Sequence, residues 1–437
     1  MLIMMRSLYS AVSGLRVHQT KMDVIGNNIA NVNTTGFKSS SVSFCDVFNQ
    51  TLSGGTGASA TGLGGSNPMQ IGLGVSVSSI DVQMTNGASQ RTDNPLDLQI
   101  SNDGFFVVTD GAGQKFTRAG SFRLDEAGNL VNASGYKVCG WQVDKSTGEI
   151  IKGTVQPLEI MGPNTYSIAP NKTTKIEFSG NINLADGDST GTGIPMTMNF
   201  FDSIGNKYTG QVTAKFNTTT GEWEIPTFDY IKDSDGNDVQ FGGVDVAGAV
   251  LSTPITLEFD TDGNITGTES FNVDFSAVTP FDGINSDVGD TGVLTLDFSG
   301  MTQYSSVTSV MFDSDGNEAG SFSSFNVGGD GIVMAKYSNG DTKVLGQIVL
   351  ATFKNPTGLI KSGDNLFETS ANSGPFDGIG VNPSNVGGLN SGVLEMSNVD
   401  LSKEFTEMIT TQRGFQANSK IITTSDEMLQ ELTNLKR

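Results

Sequence analysis

Residues 7–38 read SLYSAVSGLRVHQTKMDVIGNNIANVNTTGFK, and their periodicity governs how the rest of the chain is read. Leu8, Leu15, Met22 and Ile29 recur every seven residues, with Ala11, His18 and Ile25 between them. That spacing predicts a helix with an apolar seam of about three heptads. Its end is expected in the run Asn27 to Asn33, where short amide side chains compete for the backbone, and Gly36 breaks it. The other end of the chain repeats the pattern. Leu394, Leu401, Met408, Phe415, Ile422 and Leu429 fall at sevens, interrupted at intermediate positions by Gln412, Ser419 and Asp426. Ser397, with Asp400 three residues on, is expected to cap this second helix. Neither helix is strong alone. Gly14, Gly26 and Gly414 lie inside them, each costing about 1 kcal/mol relative to Ala. A narrow stripe also has nothing to pack against without a partner. The ends are therefore expected to pair with each other and then with other copies; a helical hairpin capping a β domain is the alternative.

Between the ends the text changes. Residues 50–75 are Gly-rich and read as a linker or extended loop. From about 76 to 390, short alternating runs such as Phe105–Val108, Gln211–Phe216 and Ile255–Phe259 are bounded by turn residues. The fold class expected is mainly β and multi-domain, with coiled-coil-like helical ends. If the ends pair, the chain runs out and returns, so its domains are nested and discontinuous. The expected division is 1–33 with 399–437 as a helical polymerisation domain, 34–75 as a linker or extended segment, 76–160 with 336–398 as a β domain, and 161–335 as one or more outer β domains.

Composition limits the chemistry. The 437 residues carry 25 Lys and Arg against 47 Asp and Glu, a net charge of −22, which disfavours nucleic acid and anionic lipid. No run approaches the ~18 apolar residues of a membrane span, so no membrane insertion is expected. The N-terminus lacks the basic region and apolar run of a cleavable signal. One histidine, His18, excludes a two-histidine metal site within the chain, and two cysteines exclude a disulfide framework. Cys45 and Cys139 are expected to be small buried hydrophobes. Asp233-Ser-Asp-Gly-Asn237, Asp260-Thr-Asp-Gly-Asn264 and Asp313-Ser-Asp-Gly-Asn317 resemble calcium loops. However, Gly stands at position 4 rather than 6 and the flanks read as strands, so hairpin turns are expected. Asp125–Asn129 and Asp202–Asn206 share the outline. No constellation suggests an enzyme, and no metal or cofactor is expected.

Four separated motifs then resemble one family. Ser7 to Leu15, followed by Asn27-Asn28-Ile-Ala-Asn31-Val-Asn-Thr-Thr35-Gly36-Phe37-Lys38, is similar to the N-terminal signature of the bacterial flagellar rod and hook axial proteins. Ser397 to Leu401, Phe405 to Ile409 and Gln412-Arg413-Gly414-Phe415-Gln-Ala-Asn-Ser-Lys420 resemble their C-terminal signature. Gly104–Val107 and Phe116–Phe122 resemble the shared β domain, and Gly346–Leu350 with Phe353, Asn355 and Pro356 its returning half. A long insertion, with Phe201-Asp-Ser-Ile-Gly-Asn206, resembles the hook members rather than the rod members. The resemblance implies a structural subunit that polymerises into a short curved hollow tube, a universal joint carrying torque from rod to filament. It implies type III export to the exterior without cleavage, and contacts with a distal rod protein, a hook cap protein and a hook–filament junction protein. Leu8, Leu15, Met22, Ile29, Leu401, Met408, Phe415, Ile422 and Leu429 are the expected polymerisation residues. Asn27, Asn28, Asn31, Thr35, Gly36, Phe37, Arg413, Gly414 and Phe415 are the motif positions. A distal rod subunit is the alternative within the family, and a secreted β-rich calcium- or carbohydrate-binding protein is the alternative of another class.

Overall fold

The computed structural model describes residues 2–57, 65–144, 147–163, 165–187, 193–238, 240–241, 244–245, 254–274 and 293–434. The chain divides into two compact units. The first holds residues 1–162, 325–334 and 344–437, and the second 163–324 and 335–343.

In the first unit, helix α1 spans Leu2–Ala30 and helix α2 spans Leu401–Asn434. The two pack side by side. Helix α1 stops inside the Asn-rich run. Asn31 Nδ2 donates to the carbonyl of Asn27 at 2.9 Å, and Thr34 Oγ1 donates to Asn31 Oδ1 at 3.1 Å. Gly36 follows at φ +69°, and a Cβ there would lie 2.6 Å from the Ala119 backbone nitrogen. A side chain is excluded at Gly36 both by the left-handed backbone and by the backbone of Arg118 and Ala119. Helix α2 begins differently from the expectation. Its cap is Asp400, whose Oδ1 accepts from the backbone of Ser402 at 2.9 Å and Lys403 at 3.3 Å. Ser397 Oγ accepts only from Val399. Leu394, expected on the helical seam, lies instead in a strand, Val393–Glu395, paired with Ser89–Arg91.

Residues 40–82 form an arm rather than a free linker. Strands β1 (Ser40–Asp46), β2 (Asn49–Ser53), β3 (Met69–Gly72) and β4 (Val75–Val82) pair antiparallel, β1 with β4 and β2 with β3. The Val47–Gly74 and Leu73–Phe48 backbone bonds join the two ladders. The glycines suggested a linker, but Val, Ile and Thr alternating around them supply the ladder. Cys45 sits on this arm and is exposed, contrary to the expectation of burial; Cys139 is buried.

The body of this unit is a twisted antiparallel arrangement around the strand Phe105–Thr109. Phe106 and Val108 enter one hydrophobic core with Leu98, Phe122, Leu130 and Ile348. Phe105 and Val107 enter a second with Phe116, Trp141, Val349 and Phe367. A strand buried on both faces reads as a continuous apolar run, which is what Phe-Phe-Val-Val is. Residues 346–348 pair with 140–142, so the returning chain rejoins a strand some 200 residues earlier.

The second unit is built on two sheets over one core. Strands 175–181, 270–274, 293–302 and 309–314 form the first sheet. Strands 194–201, 207–217, 222–225, 228–232, 255–259 and 265–266 form the second. Phe178, Phe298, Met198, Val212, Trp223 and Leu257 meet between them. The Asp-x-x-Gly-Asn segments are turns, three of them in this unit. In Asp202–Asn206, Asp233–Asn237 and Asp260–Asn264, and in Asp125–Asn129 of the first unit, the Asp backbone N–H donates to the Asn carbonyl. The Gly N–H returns to the Asp carbonyl. The Asp Oδ1 accepts from the Asn backbone in all four. Each carboxylate is thus engaged by its own loop. The fifth segment departs from this pattern. Asp313 stays in strand pairing with Glu177, and Asp315 accepts from the backbones of Thr174 and Lys175. Among the described residues, no group of three or more His, Cys, Asp or Glu is placed to hold a metal ion.

Candidate functional site

The candidate site is the helix pair, its root in the β body, and the arm beside it. The buried positions of the helix pair mix small, polar and β-branched residues. They are Ala11, Gly14, Val17, Ile25 and Asn28 on α1, and Glu404, Thr411 and Ser425 on α2. A Cβ on Gly14 would lie 2.7 Å from Asn418 Nδ2, and one on Gly414 would lie 2.7 Å from His18 Nε2. Each glycine is therefore a notch that receives a polar side chain of the other helix. Burial, with the nearby Lys21 ammonium adding to it, pushes the imidazole of His18 down toward the neutral form. Lys21 pairs with Glu407 at 3.1 Å. Asn28 donates to Glu404 Oε1 at 3.2 Å and to the Ser40 carbonyl at 2.8 Å, while its Oδ1 accepts from Ser40 N. It thus ties α1, α2 and β1 together.

The large residues of the heptads are less covered. Leu8, Leu15, Met22 and Ile29 are half-buried, as are Met408, Phe415, Ile422 and Leu429. Leu401 is exposed. Close approach at the glycines brings Asn418 and His18 against the facing helix, while these heptad residues stay only half-buried. Phe405 and Ile409 stand in solvent on the flank of α2. Among the motif positions, Asn27 is exposed and Asn28 buried. The Thr35 carbonyl accepts from Asn365, and Phe37 packs under the Lys361 ammonium at 4.8 Å. Arg413 is exposed, with a 3.4 Å hydrogen bond to Gln416.

Sequence reasoning missed the root. Lys38, Arg118 and Glu395 are each at most 2% exposed, and they meet. Glu395 Oε1 accepts from Lys38 Nζ at 2.7 Å and from the Gly87 backbone at 3.0 Å. Its Oε2 accepts from Arg118 Nη1 at 3.3 Å. Lys38 also donates to the Thr85 carbonyl at 2.7 Å. Burial pulls both Lys38 and Arg118 below their ordinary values, and the Glu395 charge opposes it. Glu395 ends the last strand before α2 and Lys38 follows the end of α1, so one carboxylate fastens the chain leading to both helices to the body. As isolated letters, Lys38 and Arg118 gave no hint of this. The signal that could have found them is that each closes or interrupts an apolar motif, Gly36-Phe37-Lys38 and Phe116-Thr-Arg118.

The arm carries exposed large side chains along its length, among them Phe44, Val47, Phe48, Leu52, Met69, Ile71 and Ile80. Phe48 is 72% exposed and Met69 60%, well beyond a scatter of single surface apolars.

Paired helical ends rooted by one buried carboxylate in a β body, with a second unit inserted in the chain, define a multi-domain, mainly β chain with exposed apolar side chains on its helices and arm. The sequence comparisons name its family. The model for the N-terminal part of flagellar basal body rod proteins matches residues 8–38, and that for the rod FlgEFG C-terminal part matches 390–435. The D1 domain of flagellar hook proteins FlgE/F/G matches 99–188, and the flagellar basal body FlaE D2 domain matches 171–317. The chain is 37% identical to the flagellar hook protein FlgE of Borreliella burgdorferi, over 99% of this chain and all of that one. It is 36% identical to that of Treponema pallidum over the same shares. The chain belongs to the flagellar hook protein family, and it is a structural component of the bacterial flagellum, in its hook and basal body. It is also 34% identical, over 99% of this chain and all of that one, to a Bacillus subtilis protein named basal-body rod protein FlgG. The long insertion was expected to mark hook members, yet this rod-named relative matches over its whole length, so length alone does not separate the two names. Among solved structures, the Helicobacter pylori hook protein FlgE2 matches with a TM-score of 0.45 at 15% identity, over 71% of this chain and 99% of that one.

Proposed function

We propose that this chain polymerises into a curved hollow tube that serves as a universal joint between rod and filament, and that its paired ends are the polymerising part. The observation that carries this reading is the exposed apolar surface of the ends and the arm. The β cores are closed, while Tyr9, Phe405, Ile409 and Met428 on the helices and Phe48, Leu52 and Met69 on the arm stand exposed. In a lone subunit, the edges of the half-buried heptad residues face water. In a polymer, each large side chain fully buried contributes about 1.5–3 kcal/mol. Ordering the ends costs roughly 1–2 kcal/mol per residue in backbone entropy, so assembly is nucleated and cooperative rather than spontaneous.

On this reading, residues 1–33 with 399–437 form the polymerisation domain. Leu8, Leu15, Met22, Ile29, Leu401, Met408, Phe415, Ile422 and Leu429 pack against neighbouring copies. Residues 76–160 with 336–398, and 161–335, form the inner and outer β domains. Other copies of the chain are the principal partner. A distal rod protein at one end, cap and junction proteins at the other, and the type III export apparatus complete the set. The role is mechanical, without a catalytic one. Replacing Phe48 and Leu52 with Ser on the arm tests the reading. Seeded elongation should fail while the subunit melts where the unaltered chain does. Elongation at the unaltered rate would remove the arm from the interface. The second reading, a rod subunit, is favoured by the rod-named relative, and straight rather than curved polymers would select it.

A further inference from the structure

Glu404 is a buried seam carboxylate that forms no ion pair among the described residues. It is 9% exposed, and its Oε2 has no hydrogen-bond partner among them. Its Oε1 has only the neutral Asn28 amide. It lines a cleft of about 130 Å³ at the root of the helix pair, with Lys21, Ser39, Asp400, Lys403 and Glu407. Lys21 is taken by Glu407, and Asp400 caps α2. Lys403 lines the same cleft, and its charge and that of Lys21 act on Glu404 through space, but neither makes an ion pair with it among the described residues. The first turn of α2 partly favours a carboxylate at this position, but does not fill its second oxygen.

A cation with the complementary character stands elsewhere on the same helix. Phe405, Ile409 and Arg413 follow at intervals of four, an exposed stripe on α2. Arg413 forms no ion pair among the described residues. Nine residues separate it from Glu404, about 13 Å along the axis, so it cannot serve its own carboxylate. A donor on one face and an acceptor on another, unable to meet within one chain, is the head-to-tail arrangement that builds open helical assemblies. A guanidinium also suits the task, because its planar fork presents two parallel donors to a carboxylate.

Resting on the polymer reading above, we infer that the cleft beside Glu404 receives Arg413 of a second copy of this chain, pairing the two across a subunit contact. Phe405 and Ile409 are covered in the same contact.

The test is a double-mutant cycle on seeded elongation, read as the soluble subunit left at steady state. E404Q and R413Q should each raise that concentration about tenfold, and the double variant no further than either single. R16Q, at another exposed arginine on α1, should add independently to E404Q. Melting of the unassembled subunit checks folding, and E404Q should melt no lower than the unaltered chain. Additive effects of E404Q and R413Q would overturn the inference, as would coupling to Arg16 instead. So would an unchanged steady state in E404Q, the behaviour of a carboxylate satisfied by water. Unaltered protein that fails to elongate on its own seeds would overturn the polymer reading itself, and this inference with it.

Discussion

Glu395 holds two cations out of water while only 1% exposed, so its removal strands both. Breaking a buried pair from one side leaves an uncompensated charge, and E395A should cost about 3–5 kcal/mol of stability by denaturant titration. A cost below 1 kcal/mol would mean that Lys38 and Arg118 find water. The helical glycines separate by environment. Nothing lies within 4 Å of a Cβ at Gly26, whereas one at Gly414 meets the His18 ring at 2.7 Å. G26A should therefore gain up to about 1 kcal/mol, the helix-propensity difference. G414A should gain nothing or lose, because His18 must move. Equal gains would deny the notch. The cysteines separate too. Burial pushes the Cys139 thiol up to about 12, while Cys45 is exposed. Iodoacetamide at pH 8 should label Cys45 and spare Cys139 until the chain unfolds.

The helix pair has its own pH dependence. Burial is the largest influence on Glu404 and raises it above the ordinary glutamate value of 4.5. The paired form therefore holds its proton to higher pH than the unpaired chain. Pairing strengthens as pH falls through the raised value, and the gain is complete below 4.5. Hydrogen exchange of α1 and α2 between pH 7 and 4.5 should show slower opening at the acid end, after correction for intrinsic exchange. E404Q should flatten the trend; the opposite slope would place the carboxylate in a charged, satisfied site. The elements themselves were largely legible in the sequence. Seven-residue spacing gave both helices, and the Asp-x-x-Gly-Asn outline gave four turns. What was not legible depended on contacts between distant segments. Leu394 kept the heptad but joined a strand, because Gln90 offered it a ladder and Asp400 capped the helix six residues later. Polar Asn28, Thr411 and Ser425 are buried in the pair, and two glycines receive polar side chains of the facing helix. Periodicity locates bulky residues, and it cannot say which side of a helix pair they will occupy.

At the scale of the whole molecule, the β cores are complete and the Asp-rich loops bind their own backbones. Exposed apolar side chains line the helix flanks and the arm, with others such as Val307 and Met311 in the second unit. The family was legible because its signatures sit at the chain ends, where the heptads also lie. The buried root at Glu395 was not, because its partners are drawn from three other stretches of chain. The polymer account rests on the ends being required for assembly and dispensable for the β body. The direct measurement is electron microscopy of the full chain on its own seeds, beside a variant lacking residues 1–33 and 399–437. The account predicts curved hollow tubes from the full chain and dispersed, folded particles from the variant. Tubes from the truncated variant, or a full chain that stays dispersed on seeds with both helices protected from proteolysis, would contradict it.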